Sequence, residues 1–217
     1  MSHTHPAIWI KVCGITNPED ALAAAEMGAD AVGFVFAPSP RQVSPEMAKE
    51  IIRKIPMAVR TVGVFVNENP ETVASISNLC DLDLLQLHGK ETTHYCGQFG
   101  RRVIKAVRVQ NENELEVCSE YVGVVQAFLL DTYVAGQSGG TGVTFDWNIA
   151  QTARKYGRMI LAGGLNPDNV AAAVAAGHEP AGRQRYRHHR HPQPPPRHHH
   201  PCAQRPPQNH ATRNTQK

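Results

Sequence analysis

Ile8-Trp9-Ile10-Lys11-Val12-Cys13-Gly14-Ile15-Thr16 decides how the rest of this 217-residue chain is read. Ile8, Trp9, Ile10 and Val12 are apolar and mostly β-branched or aromatic, the pattern of a buried strand over residues 8–12. The run stops at Gly14, and a helix start follows at once. Asn17 is placed to cap, Pro18 fits the first helical position, and Glu19 and Asp20 bring negative charge to the first turn. Cys13 therefore falls at the carboxyl end of a strand, on the lip of a loop, where α/β proteins do their chemistry.

The same unit recurs downstream. Asn17-Pro18-Glu19, Ser44-Pro45-Glu46, Asn69-Pro70-Glu71 and Asn166-Pro167-Asp168 each join a cap, a proline and an acid. The first three prolines are 27 and 25 residues apart, a period that suits one strand plus one helix. Strands are expected at residues 8–12, 31–36, 60–66, 82–87, 102–107, 124–130 and 159–162. Helices are expected at 18–27, 45–54, 70–78, 91–99, 112–120, 147–156 and 167–176. Alternation of this kind implies a parallel sheet, and seven βα units imply an α/β fold of (β/α)8 TIM-barrel type with its eighth unit missing.

The eighth strand is missing because the text changes after Gly177. Residues 178–217 contain no apolar run, yet hold eight of the 12 histidines and eight of the 16 prolines. Such a segment buries too little surface to offset its ordering entropy. The expected organisation is an incomplete barrel domain over 1–177 and a disordered His/Pro/Arg-rich tail over 178–217. The break falls inside one βα unit, as a shifted reading frame or a replaced C-terminus would produce.

Charge divides at the same place. The net +3 is made of eight Lys/Arg against one acid, Glu179, in the tail, and 14 bases against 18 acids before it. The body is thus mildly acidic. No stretch of about 18 apolar residues suggests a membrane span, and the polar residues 1–6 lack the apolar core of a secretion signal. The five cysteines, Cys13, Cys80, Cys96, Cys118 and Cys202, are odd in number and form no CxxC pair. Reduced thiols in a cytoplasmic protein are expected, with no zinc site.

Three places in the body carry chemistry. Cys13 ends the first strand. Asp131 ends the sixth, ahead of the glycine-rich loop 136–142. Gly163-Gly164 ends the seventh, where exposed amides with a helix start behind them favour an anion. Each has a plainer reading: a strand-end cysteine packs, an Asp before glycines caps a turn, an arginine such as Arg41 after Ser-Pro is solvated, and a double glycine turns the chain. Cys80, Cys96 and Cys118 read as packing residues, and His88 as structural.

Taken in order, Lys11-Val12-Cys13-Gly14-Ile15-Thr16, Gly33-Phe34-Val35-Phe36, Ser39-Pro40-Arg41, Gln86-Leu87-His88-Gly89, Leu130-Asp131 and Gly163-Gly164-Leu165 resemble the phosphoribosylanthranilate isomerase family over roughly residues 8–177. The resemblance implies a (β/α)8 barrel of tryptophan biosynthesis. The implied reaction is an Amadori rearrangement of N-(5′-phosphoribosyl)anthranilate to 1-(2-carboxyphenylamino)-1-deoxyribulose 5-phosphate. It also implies that Cys13 is the general base, Asp131 the general acid and Arg41 the holder of the anthranilate carboxylate. Gly163 and Gly164 would cradle the phosphate, and the second, Ser-Gly type phosphate loop of the family has no counterpart after Ala176. No redox step occurs, so no cofactor and no metal is expected. A free cysteine titrates near ~8.5, so nearby positive charge would help the base, with Lys11 and the helix start at Pro18 as candidates.

The expected partner is a small phosphosugar, without nucleic acid or membrane. Two rivals remain on sequence grounds. One is a dual-substrate isomerase serving histidine and tryptophan synthesis, which would use paired aspartates where Cys13 stands. The other is a non-catalytic protein acting through its tail. There His188-His189-Arg190-His191 and His198-His199-His200 could hold Zn²⁺ or Ni²⁺, and the arginines could bind nucleic acid weakly.

Overall fold

The computed structural model describes residues 8–132 and 146–177. The glycine-rich loop 136–142 and the whole tail 178–217 lie outside the described residues. Seven strands form one parallel sheet in chain order: β1 (Lys11–Cys13), β2 (Ala31–Val35), β3 (Arg60–Phe65), β4 (Leu84–Leu87), β5 (Val103–Val109), β6 (Ala127–Thr132) and β7 (Met159–Leu161). The helices between them are α1 (Pro18–Glu26), α2 (Pro45–Ile52), α3 (Pro70–Cys80), α4 (Thr93–Gly97), α5 (Cys118–Tyr121) and α6 (Ile149–Ala153), with α7 (Val170–Gly177) after β7. Every strand pairs in parallel with its sequence neighbour, the order of a singly wound barrel-type sheet.

The helix starts follow the sequence closely. Asn17 accepts from the Asp20 amide at 2.8 Å, Ser44 from Met47 at 3.1 Å and Asn69 from Glu71 at 2.9 Å, each with proline in the first turn. Strand residues then alternate between two apolar clusters. Phe34, Phe65, Leu85, Leu87, Val103, Phe128 and Leu130 belong to the larger cluster that includes the buried helix residues Ala21, Ala48, Ile51 and Val73. Ala31, Val62, Ile104, Ala106, Ala127 and Leu129 form a second, on the opposite face of the sheet.

Several boundaries differ from expectation, for local reasons. The strand expected at 8–12 is Lys11–Cys13, and Ile8, Trp9, Ile10 and Val12 are 38–49% exposed, not buried. Among the described residues β1 has a neighbour only on its β2 side, so half of its cover is absent. The helix expected from 91 begins at Thr93, capped by Thr92, because the Glu91 carboxylate turns inward to Lys105. The helix expected at 112–120 is a 3₁₀ stretch, Glu112–Val117, started by an Asn111–Glu114 capping box and continued as α5. The helix expected at 147–156 is α6 followed by a 3₁₀ turn, Arg154–Tyr156. Pro167 lies in a turn before α7, where Asn166 Oδ1 takes the amides of Asp168 and Asn169.

Candidate active site

The register places Cys13 and Asp131 at the carboxyl ends of β1 and β6, while Arg41 lies in the loop after β2 and Gly163-Gly164 just past β7. Cys13 is the last residue of β1 and half-buried. Gly14 then adopts φ +89°, a conformation glycine takes without strain, and the amides of Gly14 and Ile15 both donate to the Gly33 carbonyl. Gly33 lies beside Cys13 in register, and its missing side chain matters. A Cβ there would stand 2.8 Å from Cys13 Sγ and 3.1 Å from Lys11 Nζ. The thiol and the Lys11 ammonium thus both lie over the one glycine.

Arg41 joins this group. The loop after β2 is pinned by Val43 N to Val35 O and by Gln42 Nε2 to Phe36 O, each at 3.0 Å. The Arg41 amide donates to Ser39 Oγ at 3.1 Å, and its Nη1 donates to the Cys13 carbonyl at 2.8 Å. The side chain lies so close over Gly14 that a Cβ there would meet Nη1 at 2.6 Å. One edge of an exposed guanidinium is spent on the Cys13 loop, and the remaining donors form a planar fork that suits a carboxylate.

A second group forms around Asp131, which is 6% exposed and lies within β6 instead of just beyond its end. Its Oδ1 accepts from the Thr132 amide at 3.0 Å, and its Oδ2 is 3.1 Å from His88 Nε2. His88 Nδ1 is in turn 2.9 Å from Gln86 Nε2. Gly163, at φ +76°, packs against Asp131 so tightly that a Cβ would fall 2.7 Å from Oδ1. Gly164, at φ +64°, gives its carbonyl to Asn169 Nδ2 at 2.8 Å, which ties the turn to the approach of α7. The two glycines therefore stand beside the acid as well as at a candidate anion site.

His88, read as structural, is the hydrogen-bond partner of Asp131, which the sequence reading did not give it. Its two-residue spacing from Gln86 at the end of a strand was the available signal, because i and i+2 share a face. Sequence reasoning also missed the buried Lys105–Glu91 pair. Lys105 Nζ reaches Glu91 Oε2 at 2.9 Å and the Gly89 carbonyl at 2.7 Å, while Glu91 Oε1 takes the Asn67 and Gly89 amides at 2.8 and 3.1 Å. Burial pushes the Glu91 carboxyl upward, but the Lys105 ammonium and these amides outweigh it and hold it below the usual range. Burial lifts the thiols of Cys80, Cys96 and Cys118 to about 11, which fits their reading as packing residues.

A family model for N-(5′-phosphoribosyl)anthranilate (PRA) isomerase matches residues 10–183. The chain belongs to this family. It is 50% identical over 172 residues to the N-(5′-phosphoribosyl)anthranilate isomerase of Pelobacter propionicus, which covers 79% of this chain and 81% of that one. It is 52% identical over 167 residues to the same enzyme of Citrifermentans bemidjiense, covering 76% and 80%. The structure resembles the Thermotoga maritima phosphoribosyl anthranilate isomerase with TM-score 0.72 and 44% identity, covering 78% and 83%. A phosphoribosyl anthranilate isomerase in complex with reduced 1-(o-carboxyphenylamino)-1-deoxyribulose 5-phosphate gives TM-score 0.68 and 42% identity, covering 78% and 82%. The barrel-type fold and the isomerase class of tryptophan biosynthesis, both expected from the ordered motifs, are those of the family.

Proposed function

We propose that Cys13, Asp131 and Arg41 carry the Amadori rearrangement of N-(5′-phosphoribosyl)anthranilate in this chain. Asp131 gives a proton to the ribose ring oxygen as the C1′–O bond breaks, leaving an iminium. That cation acidifies the C2′ proton, which the Cys13 thiolate removes to form an enolamine. Protonation at C1′ and loss of the C2′ hydroxyl proton give the ketose product. No electron leaves the substrate, so no cofactor is required. Arg41 holds the anthranilate carboxylate, and Gly163 and Gly164 offer amides to the phosphate. The analogue held by the family member of known structure has both anionic ends, which suits this division.

The observation that carries the reading is the 2.8 Å bond from Arg41 Nη1 to the Cys13 carbonyl. It fixes an anion clamp directly over the loop that bears the thiol, so binding the carboxylate orients the sugar towards the base. We further propose that residues 1–177 are the working domain and that the chain acts in the cytoplasm on a small phosphosugar. The test is loss of the fluorescence of freshly formed N-(5′-phosphoribosyl)anthranilate, together with rescue of a tryptophan auxotroph lacking the isomerase. Turnover and rescue support the proposal; a folded chain with neither overturns it.

A further inference from the structure

We infer that Gln86 is a positioning residue whose side-chain amide reverses when the His88–Asp131 pair takes up a proton from solvent, so that the pair holds the proton the reaction spends. The inference deepens the proposed function and rests on it for the role of Asp131. Gln86 Nε2 lies 2.9 Å from His88 Nδ1, and His88 Nε2 lies 3.1 Å from Asp131 Oδ2. Gln86 is 3% exposed, and its Oε1 is buried with no hydrogen-bond partner among the described residues.

An amide nitrogen only donates and an amide oxygen only accepts. With Nε2 donating to Nδ1, His88 is neutral and carries its one proton on Nε2, donated to the Asp131 carboxylate. That state has no proton to give, because losing it would leave an imidazolate. An imidazolium carries a second proton on Nδ1 and needs an acceptor there. Turning the Gln86 amide over brings Oε1 to that place and moves Nε2 to where Oε1 stood, breaking one hydrogen bond and making another. The Nε2–H bond can then break as an Oδ2–H bond forms. The carboxylate becomes a carboxylic acid, and the ring becomes the neutral Nδ1–H tautomer held by Oε1. Only a proton moves.

Lys105 Nζ binds the carbonyls of Leu87 and Gly89 on either side of His88, at 3.3 and 2.7 Å, and is neutralised by Glu91. Arg108 on β5 is in register with Asp131. From β3, His88 meets the Phe65 carbonyl, which accepts its amide at 2.8 Å. Gly163 closes the β7 side of Asp131.

The test reads the ring nitrogens of His88 by ¹⁵N NMR in the full chain across pH, in the parent, Gln86→Glu and Gln86→Met. In the parent, lowering pH should convert an Nε2–H ring to one protonated on both nitrogens, with the Gln86 amide signals moving at the same midpoint. Gln86→Glu, a fixed acceptor, should raise that midpoint and Gln86→Met, neither donor nor acceptor, should lower it, each by about one pH unit. The alkaline limb of kcat should follow in the same directions. Midpoints that coincide in all three proteins, or that move the same way in both variants, overturn the inference, as does a parental amide that ignores the ring. The parental titration needs no variant to fold. It also needs no turnover, so a silent enzyme with the expected titration defeats the proposed function and not the coupling.

Discussion

Gly33 sets the terms for Cys13. Because a Cβ there would press on both Sγ and Lys11 Nζ, Gly33→Ala should displace the thiol and lower kcat while the chain still folds. Cys13→Ser and Asp131→Asn should each cost about 10²–10⁴ in rate, the loss of a positioned base or acid. Near-parental turnover in either would refute its role. Arg41→Ala should mainly raise KM, since a carboxylate contact persists from ground state to transition state. A large fall in kcat at constant KM would instead say that its bond to the Cys13 carbonyl matters more than its grip on substrate. At this scale the sequence offered Cys13, Asp131 and the glycine pair by their expected places at strand ends, and the family resemblance supplied the roles proposed for them and for Arg41. His88 was not, since an isolated histidine has no meaning until Asp131, 43 residues away in the chain, is folded against it.

Elements are held in place by contacts that leave no mark in a periodic pattern. The loop from β4 to α4 is organised around Lys105 and Glu91, whose side chains are 5% and 1% exposed. Lys105 sits in a run that otherwise reads as apolar, and Glu91 reads as an ordinary acid of a first helical turn. That is why the helix was placed two residues early. The Tyr121 hydroxyl adds a bond to the Glu91 carbonyl at 2.8 Å, tying α5 to the same loop. Lys105→Met should cost about 3–5 kcal/mol in denaturant unfolding, because it strands a buried carboxylate. The pH dependence follows from the lowered Glu91 carboxyl. In acid the unfolded chain takes up its proton first, so the stabilisation is full above the unfolded value of about 4.3 and is lost as pH falls through the folded one. Unfolding of Glu91→Gln should therefore show a shallower acid decline than the parent. Equal slopes would show that the pair does not link stability to pH.

The sheet as a whole came through clearly in sequence, since the cap-proline-acid starts fixed the order of helices and so the parallel strands between them. What sequence could not give was the state of the first strand. Ile8, Trp9, Ile10 and Val12 were read as buried because their composition suits a strand covered on both sides, whereas β1 and β7 each have one strand neighbour among the described residues. Replacing residues 178–217 with an apolar βα unit should cover both edges. The replacement should raise Tm and tighten a phosphosugar product analogue together. If the chain as it stands melts as high and binds as tightly, that cover is not what it lacks.

The sequential strand order has a consequence for synthesis on the ribosome. Each strand pairs with the one made just before it, so every unit can dock as it leaves the exit tunnel without waiting for sequence still to be translated. Assembly therefore runs with the direction of translation. An alteration confined to the message beyond residue 177 arrives after every one of the proposed site residues, Cys13 through Gly164, has been laid down.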